Sequence, residues 1–331
     1  MYDDIFTTTL ENRSGSLADN VTKNNGLLRR LRDKKNIREI TGGSKILEEL
    51  EYGEGDMLWY NGFDTIDYQN KQLFTAAEFS LKMCAVPVAV SGEDILKNSG
   101  KEQVIDLFER RIDNAVKTMQ NKMSEALYGD GTASSGKTIG GLALLVADDP
   151  TSGTVGGINR ATAGNEYWRN KAMILGASDT AWTKDTIRQA MEEMYRKCSR
   201  GVDRPDLIIS DESLYSLLEQ SMQDYQRFTD ANMAEIGFKV LKFKGADVLM
   251  DGGQGGYCPD NTMYFLNTDY LYLRPHKDRN MRVVGGDRMA VNQDALYRII
   301  GWAGNLTMSN ASVQGVMKNK SSAVSDSEVT E

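Results

Sequence analysis

Between residues 101 and 128 the apolar positions Val104, Phe108, Ile112, Ala115, Met119, Met123 and Leu127 recur every three or four residues. Glu109, Arg110, Arg111, Asp113, Lys117 and Lys122 fill the rest of the wheel. That spacing predicts one amphipathic helix of about 27 residues, about 40 Å long, which Gly129 ends. A single apolar stripe of this length has to lie along an extended sheet or another long helix. A second helix is predicted over 185–199 from Ile187, Ala190, Met191 and Met194, and a weaker periodicity runs over 17–32. PDLIISDESLYSLLEQSM reads as a buried strand, a Ser/Asp cap and a helix. Phe79, Leu81 and Met83 alternate as one strand face, Pro87 suggests an edge or bend, and Ser91 reads as the N-cap of a short helix. Residues 142–146 read as an apolar turn or strand. VLKFKGADVLMD is expected to be a hairpin or strand pair, TMYFLNTDYLYLRP a strand followed by a short turn, and RMAVNQDALYRIIGWAGNLTMSN two long strands. Everything after about Val316 reads as a mobile tail. Strands and helices mix without a regular βαβ repeat, so the fold class is α+β.

Residues 45–75 also alternate, with Gly53, Gly55 and Gly62 as punctuation. They predict an extended two-stranded excursion with few core residues of its own. Such a hairpin is marginal in isolation, so something outside it is expected to hold it, with a neighbouring subunit as a candidate.

Composition narrows the function classes. The chain has 331 residues and a formal charge of −8, and its longest uncharged apolar stretches, 83–90 and 140–147, are far shorter than a membrane span. No membrane partner is expected, and the N-terminus does not read as a secretory signal. Three widely spaced cysteines and one histidine, His276, argue against a zinc site, a disulfide framework or a Ser-His or Cys-His mechanism. No metal and no cofactor is expected.

Charge is segregated more than it is unbalanced. Arg29, Arg30, Arg32, Lys34, Lys35 and Arg38 face one acid, Asp33, a local charge of +5. Glu48, Glu49, Glu51, Glu54, Asp56, Asp64 and Asp67 face Lys45 and Lys71, a local charge of −5. The two clusters are candidates for contact between subunits; solvated faces are the plainer reading.

One motif suggests other chemistry. Residues 131–138, GTASSGKT, satisfy the GxxxxGK[ST] pattern of phosphate-cradling loops. The chemistry requires a strand leading in and a helix starting at the lysine. Here a long helix leads in and Ile-Gly-Gly follows, so a flexible Gly/Ser loop is the expectation. The acid pairs Glu48/Glu49, Glu192/Glu193 and Asp211/Glu212 are sequence neighbours that diverge on a helix, which offers no general acid/base arrangement. No enzyme is expected.

The order of these pieces carries a resemblance. A polar arm, an extended two-stranded loop, a strand passing into VPVAVSGEDILKN, a long helix ending in ALYGDGTASSGKTIGGL, the strand-cap-helix, the hairpin FKGADVLMDG and the late strands DALYRIIGWAGNLTMSN together resemble the tailed-bacteriophage major capsid proteins over about residues 30–316. The resemblance implies an N-terminal arm over 1–44, an extended loop over 45–82, a peripheral domain over 83–179 and 276–316, an axial domain over 180–275, and a flexible tail over 317–331. It makes the 131–138 motif accidental. It implies self-assembly into hexamers and pentamers of an icosahedral shell around double-stranded DNA, in a virion assembled in the host cytoplasm. A separate scaffolding protein and a portal are the further partners it implies. Encapsulins share the fold and remain the alternative, ahead of a P-loop protein.

Overall fold

The computed structural model describes residues 25–53, 55, 57–65, 72–91, 101–176, 178–223, 241–252, 256–284, 288–289 and 295–319. The helix expected after Ser91, and the first half of the periodicity over 17–32, lie outside these residues, as do the side chains of Val104 and Phe108. In chain order the main helices are α1 (Gly26–Asp33), α2 (Lys101–Tyr128), α3 (Ile187–Lys197) and α4 (Glu212–Gln223). The strands are β1 (Lys45–Glu51), β2 (Phe74–Ser80), β3 (Lys82–Ser91), β4 (Thr154–Val155), β5 (Ile158–Asn159), β6 (Lys171–Ile174), β7 (Leu207–Ser210), β8 (Leu241–Phe243), β9 (Ala246–Met250), β10 (Thr262–Leu266), β11 (Leu271–Pro275), β12 (Arg282–Val283), β13 (Arg288–Met289), β14 (Ala295–Met308) and β15 (Gly315–Lys318). Among the described residues no helix is long and apolar enough to cross a membrane.

Two sheets organise the chain. The first runs β6-β15-β10-β7-β9-β8, with β6–β15 and β7–β9 parallel and the remaining pairs antiparallel. Every residue of β7 and β10 is buried, because both faces of the sheet are covered. Alternation sorts their side chains into separate cores. Leu207, Ile209, Tyr264 and Leu266 join the main core, while Ile208, Met263 and Phe265 pack with Ile187, Met191, Met194, Leu214 and Leu218 of α3 and α4. The α3 packing requires a glycine beneath it: a Cβ on Gly315 would meet Cys198 Sγ, with Met194 Sδ only 3.1 Å away.

The second sheet is built on β14. Strand β3 pairs with it over ten positions, from Lys82 opposite Gly304 to Ser91 opposite Ala295. Strands β13, β12 and β11 succeed one another along its other edge. Helix α2, 28 residues and so about 42 Å long, packs on β3, where the Arg111 guanidinium donates to the Ala89 carbonyl. Its described stripe, Ile112, Ala115, Met119, Met123 and Leu127, is buried at the expected positions.

Five expectations change. The segment from Arg288 forms one long strand, β14, and among its described residues only the two-residue β13 pairs ahead of it. TMYFLNTDYLYLRP divides into β10 and β11, in different sheets, because Asn267 caps a 3-10 turn at Thr268–Tyr270 by accepting from Asp269 N at 3.1 Å. The run through Phe79, Leu81 and Met83 breaks at Leu81, which leaves Phe79 buried and Met83 exposed. Ordered structure continues through 317–319: Met317 is fully buried in β15, so the sheet crosses the tail boundary expected at 317. Strands β6 and β15 also belong to the same sheet as β7–β10, although the resemblance assigned 171–174 and 315–316 to the peripheral part.

Candidate functional site

The 45–80 excursion has two parts with different physics. In its base, β1 and β2 pair antiparallel from Lys45 opposite Ser80 to Glu51 opposite Phe74. The alternation puts Ile46, Glu48, Leu50, Ala77 and Phe79 on the inner face, all buried. Each fully buried large apolar side chain contributes about 1.5–3 kcal/mol, so Ile46, Leu50 and Phe79 make the base part of this subunit's own core. The expectation of an excursion with few core residues of its own is corrected here for the base, and what holds it includes its own subunit.

Polar anchors fix the same base. Glu48 is only 5% exposed. Arg274 Nε donates to its Oε1 at 2.7 Å and Arg274 Nη2 to its Oε2 at 2.8 Å, while Thr307 Oγ1 donates to Oε1 at 2.7 Å. The Tyr272 ring is flanked by the Arg274 and Arg38 guanidinium groups, 5.0 and 5.1 Å from its centroid. On β2, Glu78 N donates to the Gly156 carbonyl at 2.8 Å and Asn305 Nδ2 donates to the Ser80 carbonyl at 2.9 Å. Gly156 has φ +59°, and a Cβ there would lie 2.8 Å from that of Ala77. Tyr52 stacks on Tyr167 with centroids 4.7 Å apart.

Beyond Tyr52 the character inverts. Met57, Leu58, Trp59, Tyr60 and Phe63 are all exposed, Trp59 at 88% and Phe63 completely. Asp64 shapes the turn below them, its Oδ2 accepting from Asn61 N at 2.9 Å. Five large apolar side chains exposed within seven residues make a patch of the kind that partner surfaces cover. Reading 45–75 for its acids missed it, although MLWYNGF stands in the sequence as an apolar run that suits neither strand face.

The charged candidates fall into distinct environments. Of the acids, Glu48 is consumed inside the subunit by Arg274, whereas Glu49, Glu51 and Asp64 are exposed. Glu54, Asp56 and Asp67 lie outside the described residues. Of the bases, Arg30 pairs with Asp206 at 3.1 Å and Asp247 at 3.3 Å, and Lys34 with Asp206 at 3.0 Å and Asp269 at 2.7 Å. Arg38 stacks on Tyr272, Arg32 is half-buried, and Arg29 and Lys35 are exposed. Helix α1, capped by Asn25 Oδ1, buries Leu27, Leu28 and Leu31 completely, so this part of the arm belongs to the core rather than to a loosely attached strap. Burial pushes the Asp206 carboxyl up, but hydrogen bonds from the Thr268 N–H and hydroxyl and the charge of Lys34 outweigh it and hold the group below its ordinary value. No sequence spacing could have joined Glu48 to Arg274 and Thr307, or Arg30 to Asp206, across such separations.

The 131–138 motif lacks the geometry of a phosphate loop. It follows α2 rather than a strand, and Ser134, Ser135 and Gly136 turn through left-handed backbone. The Gly136 carbonyl accepts from Lys82, and the next helical turn begins only at Leu142. With the hairpin base this turn borders a cavity of about 510 Å³ whose lining includes Glu78, Lys82, Asp130, Thr138 and Asn305. Burial pushes the Cys198 thiol up to about 12 and raises that of Cys258 as well, so neither is a ready nucleophile at neutral pH. Among the described residues no group of three or more His, Cys, Asp or Glu side chains is placed to hold a metal.

No family model and no curated protein matches the chain. Solved structures do. The chain superposes on a protein of the cyanophage A-1(L) capsid asymmetric unit with a TM-score of 0.64 at 16% identity, covering 86% of this chain and 90% of that one. A protein of the satellite phage P4 procapsid matches with a TM-score of 0.51 at 12% identity over 92% and 90% of the two chains. The holo encapsulin complex from Synechococcus elongatus matches with a TM-score of 0.53 at 10% identity over 88% and 87%. The chain therefore has the α+β fold of phage major capsid proteins and encapsulins, as its order of elements implied.

Proposed function

We propose that this chain is a major capsid protein, a structural subunit that assembles with copies of itself into hexamers and pentamers of a closed icosahedral shell. The observation that carries the reading is the divided hairpin: a base built into its own subunit and a tip exposing Met57, Leu58, Trp59, Tyr60 and Phe63. A tip so apolar is costly in a free subunit and favourable only when another surface covers it. Likeness of fold to proteins of assembled shells supports the same reading. The contact is therefore chiefly apolar, with the exposed Glu49, Glu51, Arg29 and Lys35 as salt-sensitive contributors. The cargo is double-stranded DNA, entering through a portal after assembly on a separate scaffolding protein, and the site of action is the virion, after assembly in the host cytoplasm. Catalysis plays no part in the role.

The likeness to an encapsulin favours a second reading, a cellular compartment. Negative-stain microscopy of the purified protein, with nuclease digestion of particles from the native source, tests both. Closed shells or six-fold rings with nuclease-protected double-stranded DNA are the expected result, shells holding protein cargo indicate the second reading, and a compact monomer at all concentrations defeats both.

A further inference from the structure

We propose that the buried Glu48–Arg274–Thr307 clamp is the fulcrum of the hairpin: it fixes the angle at which the tip leaves the subunit and through it the curvature of the shell. The inference rests on the shell reading and adds a device to it. Glu48 carries three hydrogen bonds of 2.7–2.8 Å from side chains of two different strands, β11 and β14. The apolar partners of the base, Ile46, Leu50 and Phe79, give attraction without direction, since burial is non-directional. A bidentate guanidinium–carboxylate pair is directional, and a small rotation of β1 misaligns both of its bonds.

Stability alone is a poor reason for such a pair. Well-packed apolar residues in place of a buried ion pair are often as stable or more so, whereas registry is the better attested use of buried polar groups. The lever is long: from Glu48 to Trp59 the chain spans up to about 36 Å at about 3.3 Å per residue, so a tilt of about 10° at the clamp moves the tip by up to about 6 Å. Six ångströms exceeds the breadth of one side-chain contact, enough to change which neighbour surface the tip meets. The Arg38–Tyr272–Arg274 stack ties the same point to the segment that follows α1.

E48Q tests this, because it keeps one acceptor oxygen and turns the other into a donor facing Arg274 Nη2. E49Q makes the same change on the exposed face and serves as the control. In the unassembled subunit, amides of 46–50 and 75–79 should exchange about tenfold faster or more in E48Q, with those of 262–266 unchanged and E49Q like the wild type. Particles of E48Q should be broader in diameter by electron microscopy than those of either. If E48Q fails to fold, T307V, which retains both Arg274 bonds, should give the same pattern more weakly. Wild-type exchange in the E48Q hairpin, acceleration spread equally to 262–266, or an unchanged diameter distribution would overturn the proposal. Failure of the wild type to form shells would instead defeat the shell reading, leaving the fulcrum to the exchange comparison.

Discussion

Replacing Asp206 by alanine removes the group that fastens α1 to the strand-rich body. The Thr268 N–H and hydroxyl donate to it at 2.7 Å each, and Arg30 and Lys34 reach it at 3.1 and 3.0 Å. Thr268 is fully buried and the Asp206 side chain only 19% exposed, so the N–H loses its acceptor where water has little access, at a cost of about 1–3 kcal/mol. The cations retain Asp247 and Asp269 and are 32% and 25% exposed, so their loss adds only about 1 kcal/mol. The expected total is about 2–4 kcal/mol in urea unfolding of the unassembled subunit, with D206N costing about half because one acceptor oxygen survives. The pH dependence has a definite sign. The folded carboxyl titrates below its ordinary 3.8, so its stabilisation is complete above that value and lost as pH falls through the lower, folded one. D206A should flatten the acid limb of the stability curve below pH 3.8. A D206A subunit within about 0.5 kcal/mol of wild type, with an unchanged acid limb, would refute the reasoning and return α1 to a loosely attached arm.

Ile112→Ala, on the buried stripe of α2, should cost about 2–5 kcal/mol by urea titration, and Lys117→Ala little; equal costs would mean that the helix presents another face. Lys137→Ala should leave the melting temperature unchanged, and Mg-ATP should not raise that of the wild type; a ligand at about 100 times its Kd would add about 2.7 kcal/mol, which differential scanning fluorimetry detects easily. Gly315→Ala should destabilise the α3 packing through its clash with Cys198, measured as a lower melting temperature and faster amide exchange over 187–197.

Local periodicity was legible where one residue's neighbours in sequence determine its surroundings. The stripe of α2, the strand-cap-helix of β7 and α4, and the β8–β9 hairpin all follow from spacing and turn chemistry. Boundaries were less so: Asn267 ends one strand and starts another in a different sheet, a change of partner that composition does not reveal. The electrostatic candidates were legible as residues but not as pairs. Arg30 and Glu48 carry charge that the fold uses internally, through partners far along the chain, and only tertiary structure brings those partners near. The apolar tip was written openly at 57–63, but the alternation and acidity of its flanks drew the reading toward charge.

The central claim is that the exposed tip joins subunits while the base belongs to one of them. Sedimentation velocity of the purified chain and of a Trp59→Ser/Phe63→Ser variant measures this directly, with urea unfolding as a parallel check on each subunit. Both residues are almost wholly exposed, so the account predicts unfolding midpoints that agree closely, shells or six-fold rings for the wild type, and unassembled subunits for the variant. A variant that assembles like the wild type would contradict the claim.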